Sequence, residues 1–166
     1  MAVREIRLFG DPVLKSVCDP IKVIDAGVVA LVKDLLDTTA LPGRAGVAAN
    51  QIGVALRVFS FSVEGKTGYV INPELIAVDG EQELVDEGCL SVPGLWHKTR
   101  RYPRATVRGL QLDDSTIEIS ADGVLAQAFQ HECDHLNGLL YIDRLDQAER
   151  KAAMQNIRSA DWFLKN

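Results

Sequence analysis

Histidine is scarce in this chain, with three residues in 166. Cysteine is equally scarce, and three thiols do not make a disulfide framework. Cys18 and Cys133 are therefore expected as buried thiols in a reducing compartment. The amino terminus, Met1-Ala2-Val3-Arg4-Glu5, lacks the apolar core of a signal peptide, and no run approaches bilayer-spanning length. A cytoplasmic protein without membrane contact is the expectation. Excess positive charge is missing too. A net charge of −5 argues against a broad nucleic-acid-binding face, so no direct DNA binding is expected. Linkers, repeats and low-complexity stretches are absent. What is present is ordinary for one globular domain over residues 1–166. The chain is 47% hydrophobic and 25% charged, and its length suffices to bury about two-thirds of the unfolded surface.

Apolar periodicity predicts a first helix over 26–39, capped by Asp25 and stopped by Pro42-Gly43. Val28, Leu31, Val32, Leu35 and Leu36 form its apolar stripe. Strand-like pieces follow over 56–61, 68–71, 75–78, 83–86, 105–112 and 116–120, punctuated by Glu64-Gly65 and Asp79-Gly80. A helix is expected over 123–137, with Leu125, Phe129, Cys133 and Leu136 inward and Gly138 just past its end. A last helix over 147–159 starts behind Asp146. Strands gathered between helices, without strand–helix alternation, read as α+β. The expected fold is a single domain of mixed or antiparallel sheets around the 123–137 helix, with an N-terminal and a C-terminal helix.

Two of the three histidines stand in one segment, His131-Glu132-Cys133-Asp134-His135. On a helix, i and i+4 imidazoles share one face and can grip a divalent metal, leaving the glutamate beside the open coordination position as a base. A catalytic site of this kind wants a third protein ligand. His135-x-x-Gly138 begins the metzincin pattern, but the position of its third histidine is Tyr141. Downstream, Glu149 is the one glutamate left, so the ligand is sought upstream. Cys89, within Asp86-Glu87-Gly88-Cys89-Leu90-Ser91-Val92-Pro93-Gly94, is the candidate, since a metal can deprotonate a thiol outright; alone it reads equally as a small buried hydrophobe. A third segment, Gly43 to Gln51, is a loop of small residues ending in an amide. Small residues allow close backbone approach, and a glutamine can donate to a developing oxyanion; a solvated loop is the alternative.

In this order, Arg44-Ala45-Gly46-Val47-Ala48-Ala49-Asn50-Gln51, Glu87-Gly88-Cys89-Leu90-Ser91 and Gln130-His131-Glu132-Cys133-Asp134-His135-Leu136-Asn137-Gly138 resemble three motifs of the peptide deformylases. Those motifs read G-x-G-Φ-A-A-x-Q, E-G-C-L-S and Q-H-E-x-D-H-L-x-G. Gly10-Asp11-Pro12-Val13-Leu14 and Ile71-Asn72-Pro73 also look like the family, so the resemblance runs from about the tenth residue to beyond Tyr141. It implies Cys89, His131 and His135 as ligands of one divalent metal per chain. It further implies Glu132 as general base and acid, with the Gln51 side chain and the Leu90 N–H as oxyanion site. The implied reaction removes the formyl group from N-formyl-methionyl nascent peptides and releases formate, with a transient ribosome contact. The implied metal is Fe2+, which Zn2+, Ni2+ or Co2+ can replace. Thiolate and imidazole ligands alone would point to zinc first.

One position departs from the pattern: the first glycine of G-x-G is Arg44. A glycine there would serve a positive φ or a close substrate approach, and arginine tolerates neither well. Arg44 is expected on the groove rim, narrowing it or offering a cation to a peptide carbonyl or carboxylate. Val124, Gln127 and Ala128 precede His131 on the same helix face. With Val85, Val47 and Gly46 they are expected to line the pocket for the substrate's first residue, or else to pack on the sheet. Glu87 and Asp134 are candidates for orienting a histidine or pairing with Arg101, or are solvated. His97, after Trp96, is expected at the surface near the mouth. Two rival readings stand beside this one. A metallopeptidase shares the chemistry, and Tyr141 counts against its metzincin form. A non-enzymatic metal- or peptide-binding relative has no need of Glu132.

Overall fold

The computed structural model describes residues 2–164. Helix α1 spans Ala26–Thr39, and the Asp25 carboxylate accepts the Val28 N–H at 3.0 Å. Val28, Leu31, Val32 and Leu35 are buried as its stripe, while Leu36 is partly covered. Seven strands follow: β1 Gly46–Ala48, β2 Val58–Val63, β3 Lys66–Asp79, β4 Glu83–Cys89, β5 Val92–Arg101, β6 Arg104–Leu110 and β7 Thr116–Asp122. Helices α2, Gly123–Leu136, and α3, Gln147–Ser159, complete the chain. The strands form an antiparallel sheet in the order β1-β2-β3-β6-β7 and a separate antiparallel β4-β5 ribbon. The fold is α+β.

Side chains alternate across the large sheet, and the two helices divide its faces. Phe59, Phe61, Val70 and Val107 pack against Leu125, Phe129, Cys133 and Leu136 of α2. Phe61 and Phe129 meet edge-on with centroids 5.4 Å apart. Val47, Val58 and Ile71 turn the other way, against Val32 and Leu35 of α1. Helix α3 buries only Ala153 and Ile157, in a third cluster with Val92, Tyr141 and Ile142. Gly138 ends α2 at φ +77°, where a Cβ would lie 2.5 Å from the Lys15 carbonyl oxygen.

The structure corrects several strand boundaries. The pieces expected over 68–71 and 75–78 are one strand, β3. Register shifts on either side of Leu75 carry it past Asn72-Pro73 without breaking the sheet. Asn72 holds φ at 49° and ties itself to both the N–H and the carbonyl of Ile21. Strand β5 has no counterpart among the expected strands, because its charged residues mask an alternation in which His97, Thr99 and Arg101 are buried. The segment read as a loop up to Gln51 is β1 followed by a 3-10 turn, Ala49–Ile52.

Candidate metal centre and active site

Two segments distant in sequence meet at the C-terminal half of α2. The helix presents His131 and His135 on one face, with their Nε2 atoms 3.0 Å apart. Cys89 ends β4 where the ribbon register slips, which turns its Sγ to within 3.3 Å of His135 Nε2. The three ligand atoms lie within 4.8 Å of one another. Metal bonds of about 2.0–2.3 Å fit that spacing, so these residues suit a single ion as they stand.

A buried ionic network fixes this face of the helix. Glu87 receives the Nδ1 side of His131 at 2.9 Å and pairs bidentately with Arg101 at 2.9 and 2.6 Å. Arg101 also reaches Asp134 at 2.8 Å, and Arg144 binds the other oxygen of Asp134 at 2.8 Å. Burial works against charge on Glu87, yet hydrogen bonds from Arg101 and His131 prevail and hold its carboxyl well below the usual carboxylate range. The bond to Nδ1 leaves His131 Nε2 to face Cys89 and His135, as an orienting carboxylate does for a metal-ligating histidine. Glu87 and Asp134 are thus partners of Arg101 rather than solvated groups.

Glu132 lines the same cavity as Cys89 and His131 and is 3% exposed. Among the described residues its Oε2 has no hydrogen-bond partner. Burial in this setting pushes its carboxyl up to about 7, with the charge of Glu87 adding to the effect and His131 opposing it. Gly46 makes the space: a Cβ there would lie 2.8 Å from Glu132 Oε1 and 2.9 Å from the Ser60 carbonyl oxygen.

Gln51 is buried, not a solvated loop residue. Its Oε1 accepts the Ala48 N–H at 3.0 Å, and its Nε2 donates to Ser91 Oγ at 3.2 Å and to Cys89 Sγ at 3.6 Å. That fixes which end of the amide faces the centre. The N-terminal segment straps the two sides together, since the Arg7 N–H donates to the Gln51 carbonyl and the Phe9 N–H to the Ser91 carbonyl. Asn50 Nδ2 donates to the His135 carbonyl at 2.5 Å. Ser91 and Asn50 sit inside the motifs without being expected as site residues; a polar side chain among small and apolar neighbours is their one sequence signal.

The ligand set opens into a cavity of about 550 Å³. Arg44, Gly46, Gln51, Cys89, Leu90, Val124, Gln127, Ala128, His131 and Glu132 all line it, while His135 lies buried behind. Val47 and Val85 do not line it. The alternation along β1 sends Val47 to the α1 side, one residue out of phase with Gly46 and Ala48. Val85 stands opposite Thr99, just short of the β4 lining that begins at Asp86. His97 also departs from expectation. It is buried, with Nδ1 3.0 Å from the Tyr141 hydroxyl, because the alternation of β5 turns it inward.

A cysteine sulfur and two imidazoles around one position, with a carboxyl group held out of water beside them, are the equipment of a metal-dependent hydrolase, and this fold and site define that class. Comparison narrows it. The profile of the polypeptide deformylase family matches residues 3–151, and the chain belongs to that family. The peptide deformylase of Acidothermus cellulolyticus is 46% identical over 162 residues, covering 98% of this chain and 89% of the relative. Peptide deformylase 1 of Corynebacterium glutamicum is 45% identical over 169 residues, covering 99% of this chain and all of the relative. Among solved structures, the Legionella pneumophila peptide deformylase superposes with a TM-score of 0.87 at 34% identity, over 93% of this chain and 92% of that one. The Synechococcus elongatus enzyme, solved in complex with actinonin, gives 0.86 at 30% identity, over 95% and 87%.

Proposed function

We propose that this chain hydrolyses the N-formyl group of newly made formyl-methionyl peptides, with Cys89, His131 and His135 holding one divalent metal and Glu132 moving the protons. The observation that carries the reading is the buried Glu132 carboxyl, whose Oε2 has no hydrogen-bond partner among the described residues, beside the Cys-His-His set. When bound, the metal lowers the pKa of a water and polarises the formyl oxygen. Glu132 takes the proton of the attacking water; a carboxyl pushed up to about 7 is suited to both accept and return a proton near neutrality. Gln51 Nε2 and the Leu90 N–H donate to the oxyanion that develops on the formyl oxygen as its carbon becomes tetrahedral. Glu132 then delivers its proton to the departing amine, and formate leaves. The family resemblance favours Fe2+ as the resident ion, with Zn2+, Ni2+ or Co2+ as replacements, and the mixed thiolate–imidazole donors suit any of them.

The substrate's first side chain fits against Val124, Ala128 and Gln127. The Gln127 Nε2 donates to the Asp86 carbonyl at 3.1 Å and to the Glu87 carboxylate at 3.2 Å, which ties its amide nitrogen to β4. A nascent-chain substrate implies work in the cytoplasm and a transient contact with the ribosome. Among the described residues no helix is long and apolar enough to cross a membrane. Formate release from formyl-Met-Ala-Ser, followed with and without a chelator, tests the reading. Release that stops on chelation and returns with added metal is expected. Free methionine without formate, or no product from metal-loaded protein, would overturn it.

A further inference from the structure

Among the described residues Arg44 is the one lysine or arginine lining the cavity. Its Nη1 donates to the Thr38 carbonyl at 2.9 Å, which ties the guanidinium to the end of α1. It is not among the residues with positive φ, so the backbone accepts a side chain there without strain. The carboxylates that line the same cavity are otherwise engaged. Asp86 pairs with Lys98 at 2.9 Å, Glu87 pairs with Arg101 and His131, and Glu132 sits inward beside the ligand set. Among the described residues Arg44 has no carboxylate partner. A cation on an open wall, tied by one neutral hydrogen bond, is an unanswered charge.

Its place along the chain says which part of a substrate it would meet. Strand β1 is the edge of its sheet, bonded to β2 alone. Gly46 lies against Glu132, and Arg44 stands two residues before it. The Ala45 carbonyl still accepts the Ser62 N–H at 2.8 Å, so the pairing with β2 continues past β1 and brings Arg44 to its end, two residues along the edge from Gly46. A peptide with its formyl group at Glu132 and its chain laid along the free edge from Gly46 toward Gly43 would bring its second or third residue beside Arg44.

We propose that Arg44 is a specificity-determining residue that favours formylated peptides carrying a carboxylate at the second or third position. This rests on the deformylase reading of the site. The carboxylate could belong to an aspartate or glutamate side chain or to the C-terminus of a very short peptide. The contact is remote from the bond broken, so it acts on KM far more than on kcat.

The test compares formyl-Met-Ala-X-amide and formyl-Met-X-Ala-amide with X as Glu, Gln or Lys, beside formyl-Met-Ala-Ala with free and amidated ends. For a half-exposed charge pair, kcat/KM should favour Glu over Lys by roughly three- to tenfold at low salt, and the ratio should shrink as salt rises. Arg44→Gln should bring the ratio close to one, Arg44→Glu should invert it, and Arg44→Lys should keep its direction. A preference present in the amidated series assigns the side-chain carboxylate, and one confined to free ends assigns the C-terminus. Equal rates for Glu, Gln and Lys peptides in the parent, or a ratio unmoved by Arg44→Gln, would overturn the proposal while leaving the deformylase reading intact. No formate from the uncharged Gln peptides would overturn both.

Discussion

Glu132→Gln should make the metal-free protein more stable, and increasingly so as pH rises. Glu132 is 3% exposed, its Oε2 finds no partner among the described residues, and burial pushes its carboxyl from 4.5 up to about 7. The folded state therefore binds this proton more tightly than the unfolded chain. Below pH 4.5 both states hold it and nothing is lost. Above that, the unfolded chain ionises freely and the folded one resists, so stability falls until the folded carboxyl itself ionises near pH 7. The gap corresponds to under ~1 kcal/mol near pH 5 and about 3 kcal/mol near pH 8. Glutamine keeps the shape and carries no charge to bury. Urea unfolding of metal-free parent and variant across that range isolates the difference, because other titrating groups cancel. A difference that stays flat with pH, or a variant less stable near pH 8, would show that Glu132 is not held in the dry setting described.

Three further perturbations probe the surrounding structure. Arg101→Met leaves Glu87 and Asp134 as uncompensated buried carboxylates and should cost about 3–5 kcal/mol of stability, read by urea unfolding; a loss under ~1 kcal/mol would contradict the network's role. Gly46→Ala puts a methyl group against Glu132 and the Ser60 carbonyl, and should lower kcat by at least about tenfold through displacement of the carboxylate; unchanged kcat would mean that the close approach is relieved elsewhere. Cys89→Ala should lose metal and activity together in a metal analysis of protein purified without oxygen, whereas full metal content at full rate would remove Cys89 from the ligand set.

The helices were legible because their signals are local. Asp25 before an apolar stripe, and Gly138 after one, mark the limits of α1 and α2 to within a residue. The Cys89, His131 and His135 set was reachable from spacing and motif order, although only the fold brings Cys89 to the helix. What escaped depends on pairing between distant strands. Membership of the first motif points Val47 at the pocket, but one residue of strand phase decides which helix it meets. His97 looked like a surface residue, since nothing in its neighbours reveals that β5 pairs with β4 and turns every second residue inward. The network of Glu87, Arg101 and Asp134 joins a strand of the ribbon to its partner and both to α2; the sequence suggested the pairing of charges, and the fold supplied its burial.

The central claim is that Glu132 moves the protons beside a metal held by Cys89, His131 and His135. Turnover of formyl-Met-Ala-Ser by Glu132→Gln, measured at metal content matched to the parent, tests it most directly. Glutamine preserves size and hydrogen bonding but cannot accept the water's proton, so kcat should fall on the order of a hundredfold or more with the metal retained. A variant that turns over within a few-fold of the parent at equal metal content would contradict the account.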